Sequence, residues 1–318
     1  MRSRLVAALC LCFCAPWLAS CSGSSGRQSL AELIPADTLA VLSVNWQAVR
    51  RDGDLLKLVK GAEVRKVFSQ VNVNEEAVTD FVVFGDGTGG TGGSTGMLLS
   101  GSFDAHEVAD SLKERGWKEE AYNDHEVYVN PADGARLATL DSGALVCGTK
   151  RGVEGAIRAE ADPAAGFAST DAYQRLSALF NTTEHPISMI ITLPQQLQDA
   201  ADAALQVSSV MMDFAGVGPL GQLISKIGYA RAVGCSIERE GDSFPVELVA
   251  IMKDENAAAL VSGGLTLLKG LGEWVGQPAA RSAEEAEALR TFQNMSVSRE
   301  NDVLSISIVM SRKNLFPN

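Results

Sequence analysis

Ser94 is the first residue whose setting could do chemistry. It lies in Gly92-Gly93-Ser94-Thr95-Gly96, a G-x-S-x-G pattern. A serine nucleophile in that pattern needs a strand before it and a helix behind it, so that its oxygen stands beside an oxyanion hole. Here the serine lies within a glycine-rich stretch, Gly85 to Gly96, and the apolar run Met97 to Gly101 follows. A hairpin loop is the expected structure, and no catalytic role is assigned to Ser94. The same stretch is no phosphate-binding loop, since no Gly-Lys-Ser/Thr closes it. With Asp86 as its one carboxylate it is no calcium repeat either.

Three histidines, His106, His125 and His185, are the whole supply for zinc or general-base chemistry. They stand in unrelated contexts, with no His-Glu-x-x-His and no paired cysteine spacing. Asp124-His125-Glu126 offers ligand atoms, but it falls between two strand-like runs where a solvated turn is expected. Glu75-Glu76, Glu119-Glu120 and Glu284-Glu285 are sequence neighbours, which do not face one another on a helix or strand. The residues therefore predict no catalytic group, no metal and no cofactor. The chain is read as a non-enzyme, with an envelope hydrolase as the most remote alternative.

The elements that would position any site fall into two similar series. Thr38 to Val44 and Pro186 to Thr192 are β-rich openings, each followed by helical material, Asp54 to Gln70 and Gln195 to Ile227. A hairpin comes next in each: Asp80 to Phe84 with Met97 to Gly101, and Tyr229 to Glu238 with Phe244 to Met252. Asp104 and Asp254 then read as helix caps, the second opening a helix towards Trp274. Closing strands are expected at Glu126 to Val129, Arg136 to Leu140 and Ala144 to Gly148, then at Met295 to Arg299 and Val303 to Met310. The fold class is α+β: two related modules, each an antiparallel sheet covered by helices, over residues 33–165 and 166–318.

The chain opens with Arg2 and Arg4, an apolar run from Leu5 to Leu18, and the small residues Ala19 and Ser20 before Cys21. That order of charged, apolar and small segments is a secretory signal. The run is too short, and broken by Pro16, to span a bilayer, which takes about 20 apolar residues. Asn256 to Val275, the other apolar stretch, carries Lys269, Glu273 and four glycines and is read as a buried core helix. Leu18-Ala19-Ser20-Cys21 resembles the lipobox of bacterial lipoproteins. The resemblance implies that signal peptidase II recognises Leu18, Ala19 and Ser20, removes residues 1–20, and leaves Cys21 acylated as the mature N-terminus. Residues 21–32, rich in Ser and Gly, would be a tether reaching about 15–20 Å from the bilayer. Ser22, in place of an aspartate, favours the outer membrane in a Gram-negative cell by the same resemblance. The body also resembles uncharacterised exported bacterial proteins, through Pro35, Asp37 and Thr38 and then Gly101, Ser102, Phe103 and Asp104. That likeness implies export and carries no activity.

Cys10, Cys12 and Cys14 would leave with the leader, so only Cys147 and Cys235 remain in the body. Both sit in apolar runs and read as buried thiols; the alternative is a disulfide between the two halves, which an exported compartment permits. Removing the leader, with its two arginines and no acid, takes the formal charge from −12 to −14. So acidic a surface excludes nucleic acid as a partner and leaves membrane attachment to the lipid. The expected function is a membrane-anchored envelope lipoprotein that binds or scaffolds a protein partner. The alternative is a carrier or sensor of an apolar ligand, in a groove lined by Met211, Met212 and Leu267.

Overall fold

Apolar runs such as Val41-Leu42-Ser43-Val44 and Phe81-Val82-Val83-Phe84 lack clean polar alternation because their sheet is covered on both faces. Leu42, Val44 and Phe81 enter one buried cluster, while Val41, Val82 and Phe84 enter a second on the opposite face. The structure is a computed structural model that describes residues 30–87, 93–180, 185–193, 230–279 and 294–316. Its centre is a twelve-stranded sheet in the order β11-β12-β10-β9-β8-β1-β2-β3-β7-β6-β5-β4, antiparallel throughout. The strands are β1 (Ala40–Asn45), β2 (Val78–Gly85), β3 (Thr95–Gly101), β4 (Lys118–Tyr122), β5 (His125–Val129) and β6 (Arg136–Thr139). They continue with β7 (Leu145–Gly148), β8 (Ile187–Thr192), β9 (Ala230–Ile237), β10 (Ser243–Met252), β11 (Ser296–Glu300) and β12 (Val303–Ser311).

The duplication expected from the sequence is visible as strand order. From the centre outward, the first half runs β1-β2-β3-β7-β6 and the second β8-β9-β10-β12-β11. A helix follows the third strand of each series: α4 (Ala105–Glu114) after β3, and α7 (Glu255–Ala279) after β10. The modules share one sheet, because the opening strands pair directly with each other, Leu42 opposite Met189 and Val44 opposite Ile187. Among the described residues, the hairpin β4–β5 extends the first series alone. Both sheet edges carry charge, Lys118, Glu119 and Glu120 on β4 and Arg299 and Glu300 on β11, which discourages pairing with another chain.

Helices α1 (Trp46–Val49), α2 (Gly53–Leu58), α3 (Gly61–Gln70) and α4 cover one face of the first half. Trp46, Phe68 and Phe81 form an aromatic cluster there, with centroids 5.3–6.1 Å apart. The opposite face of the sheet is covered by the 30–34 segment and α5 (Lys150–Ala161) over the first half and by α6 (Asp171–Leu179) over β8, β9 and β10. A last turn, α8 (Arg312–Leu315), ends the described chain.

Asp104 caps α4 through His106 N and Glu107 N, and Asp254 caps α7 through Ala257 N at 2.8 Å, as the sequence indicates. The helical material expected over Asp54 to Gln70 is present as two helices, parted at Lys60, whose φ of +50° cannot continue a right-handed helix. The apolar 256–275 stretch departs from the buried core helix expected of it where its side chains are described: α7 packs on β10, β11 and β12 through the buried Ala258 and Leu265, while Leu260 is 69% exposed. The expected helix over Gln195 to Ile227 lies outside the described residues, as does the signal and lipobox segment.

Candidate functional site

A cleft of about 810 Å³ opens where α3 crosses the sheet. Its floor is one lateral row of paired residues, Val83 opposite Met97 and Met97 opposite Cys147. Its roof is the valine face of α3. Val64, Val67 and Val71 recur at helical spacing, so they share one face. Trp117, which follows α4, forms a side wall. Arg115 fixes that wall to the roof: its Nη1 donates to Ser69 O at 2.9 Å and Gln70 O at 3.1 Å, and its Nη2 to Asn72 Oδ1 at 3.0 Å. A guanidinium at the C-terminal end of α3 also complements that helix's dipole. The volume falls within the usual span of small-molecule pockets, about 300–1,000 Å³.

Cys147 and Cys235 are free and buried, so the bridge weighed as an alternative is not formed. They stand on β7 and β9, separated by β3, β2, β1 and β8. Five interstrand spacings amount to about 24 Å, far beyond disulfide reach. Burial pushes both thiols up to about 12.

Ser94 does not stand on a nucleophile elbow. Its backbone N–H donates to Asp86 Oδ2 at 2.8 Å and its carbonyl accepts from Asp86 N at 3.0 Å, closing the β2–β3 hairpin. The side chain is buried and its hydroxyl has no hydrogen-bond partner, so no histidine activates it. Of the histidines, His106 is exposed at the start of α4, and His185 pairs with Glu238 at 2.5 Å while stacking on Phe180.

His125 departs from its expected solvated turn. The turn is Asn123-Asp124, both at positive φ in a two-residue hairpin, and His125 is already in β5. Its side chain is 13% exposed and points towards α5 rather than to its sequence neighbours. His125 Nδ1 is 3.2 Å from Thr139 O, and its Nε2 is 3.9 Å from Glu160 Oε2. Glu160 accepts from the backbone N–H groups of Asp141 and Ser142 at 3.0 and 2.8 Å. Ligand-capable atoms of His125, Asp141 and Glu160 all lie within 4.8 Å of one another. Sequence reading missed this group because its members are 16 and 19 residues apart and meet only across a sheet edge and a helix end. Glu126, the neighbour it considered, instead accepts from Tyr128 Oη at 2.5 Å. Met211 and Met212 lie outside the described residues, and the cleft uses none of the groove residues named from the sequence.

No protein-family model matches the chain, and no curated protein matches it. Solved structures of TP0453 in crystal forms III, I and IV are similar to it at a TM-score of 0.45 and 10% sequence identity. The similarity covers 90% of this chain, with 95% of the other chain for form III and 94% for forms I and IV.

Proposed function

We propose that this protein is a lipid-anchored component of the bacterial cell envelope whose body binds an apolar chain in the α3 cleft and performs no chemistry on it. The observation that carries this reading is the cleft itself, floored by Val83, Met97 and Cys147 and roofed by the α3 valines. Such a lining favours an acyl or similarly apolar ligand, which gains from leaving water and asks for few directed hydrogen bonds. The buried Ser94 hydroxyl and the high-lying thiols support a binding role over a hydrolytic one. The lipobox resemblance at Leu18 to Cys21 supports the anchor, and with it proximity to a source of acyl chains.

The test is titration of a fluorescent fatty acid into the chain lacking residues 1–20 and carrying Cys21→Ala. Saturable one-to-one binding is expected, with Val67→Trp abolishing it by filling the cleft. If the probe stays unbound, or binds Val67→Trp equally well, the cleft is not the ligand site. Labelled palmitate and cell fractionation test the anchor separately: Cys21→Ala must lose both label and membrane association.

A further inference from the structure

We propose that His125, Asp141 and Glu160 form a binding site for a zinc-class divalent cation, independent of the cleft. Three separate elements bring them together: the first residue of β5, the β6–β7 turn and the last turn of α5. The tautomer follows from the neighbour on the far side of the ring. A backbone carbonyl only accepts, so His125 Nδ1 carries the hydrogen it gives to Thr139 O. On a neutral ring of that tautomer, Nε2 is the nitrogen with the bare lone pair, and it faces the two carboxylates. This is the arrangement that orients metal-bound histidines.

Glu160 is held in place from behind. Its two oxygens accept the amide hydrogens of Asp141 and Ser142, which leaves each oxygen lone-pair capacity for a cation. Arg158, two residues earlier on α5, is turned to Tyr122 Oη at 2.8 Å and does not neutralise the group. One nitrogen and two carboxylates thus converge as electron-pair donors, and a cation satisfies all three at once. Mixed nitrogen and oxygen donors select zinc over calcium or magnesium, which prefer oxygen alone. Bonds of about 2.0–2.2 Å to zinc place ligand atoms roughly 3.3–3.6 Å apart, so the group must contract. The exposed Asp141 side chain can make that movement. Three protein ligands leave a fourth tetrahedral position for water.

Zinc chloride titrated calorimetrically into the Cys21→Ala chain tests this. One equivalent is expected to bind, raising the unfolding temperature because the ion ties β5, the turn and α5 together. His125→Gln and Asp141→Asn should each weaken binding at least about tenfold, while His106→Gln leaves it unchanged. Asp141 is exposed, so its variant keeps the metal-free unfolding temperature and separates ligation from folding. Absence of binding to the parent chain overturns the proposal, as does zinc bound equally by both ligand variants. Calcium bound more tightly than zinc overturns the cation class.

Discussion

Arg312 grips Asp54 across 258 positions of sequence, with Nε 2.9 Å from Oδ2 and Nη2 3.0 Å from Oδ1. Asp54 lies in the first turn of α2 with a side chain 5% exposed, so the contact pins the end of the chain to the first module. Arg239, after β9, places its Nη1 2.7 Å from both carboxylate oxygens of Asp52. Two arginines of the second module thus close on two aspartates of the first. Arg312→Met should lower stability by about 1–3 kcal/mol, the usual loss for a charge-assisted hydrogen bond. Denaturant unfolding of the single and Arg312→Met/Asp54→Asn double variants measures the coupling.

Acid should loosen the same junction. Burial pulls the Asp54 carboxyl upward, but the hydrogen bond from Arg312 and the charges of Arg312, Arg239 and Lys57 outweigh it, so it sits below the ordinary 3.8. Asp52 behaves alike, with burial opposed by Arg239 and by the Leu55 and Asp54 amides. A carboxyl depressed by folding stabilises fully above its unfolded value and ceases to do so as pH falls through its folded one. Stability should therefore drop below about pH 3.8, and Asp54→Asn should flatten that drop in urea titrations at pH 3 and pH 6.

Cys147 gives the cleft a built-in reporter. With both thiols pushed up to about 12 by burial, both should react only slowly with a disulfide reagent at pH 8 in the native state. Two thiols should titrate after denaturation of the Cys21→Ala chain without its leader. Saturating fatty acid should slow native-state labelling at Cys147, on the cleft floor, and leave Cys235 unaffected.

Gly152 sets how closely α5 can approach β3. A methyl group there would lie 2.4 Å from the backbone oxygen of Thr95, which cannot rotate aside. Thr149, the N-cap of α5, donates to Gly93 O at 2.7 Å and accepts from Thr95 N at 3.2 Å, so the helix start is held on that strand. Gly152→Ala should cost about 1–3 kcal/mol despite its better helix propensity, read as a lower unfolding midpoint.

Trp46 should tolerate one change and not another. It is fully buried, yet its Nε1 has no hydrogen-bond partner. Trp46→Phe removes an unsatisfied donor along with some packing and should cost less than about 1.5 kcal/mol. Trp46→Ala empties the space between Phe68 and Phe81 and should cost about 3–5 kcal/mol. Thermal unfolding of the two variants decides it.

The hairpins and caps were legible because their signals are local. Phe81 to Phe84 and Met97 to Gly101 flank glycine, and Asp104 and Asp254 stand at helix starts. α5 and α6 were not read from the sequence, and the break between α2 and α3 falls on Lys60, a non-glycine residue at positive φ. The candidate sites were less legible still. Val64, Val67 and Val71 carry only the spacing of a helix face, and β3 and β7 are what leave a space beneath them. His125 appeared beside Asp124 and Glu126, whereas its partners in space come from β6–β7 and α5.

By itself the sequence determined the α+β class, antiparallel strands covered by helices, and the repeated order of strand, hairpin, cap and closing strands. Period and turn chemistry act over a few residues and need no distant partner. Only the tertiary structure decided that β1 meets β8 and merges both halves into one sheet, which parts Cys147 from Cys235 and brings Arg312 to Asp54. It also decided which apolar faces left a cleft and which three ligating atoms converged. Those outcomes depend on how strands twist and helices cross once both faces are buried, a choice made between elements rather than within any of them.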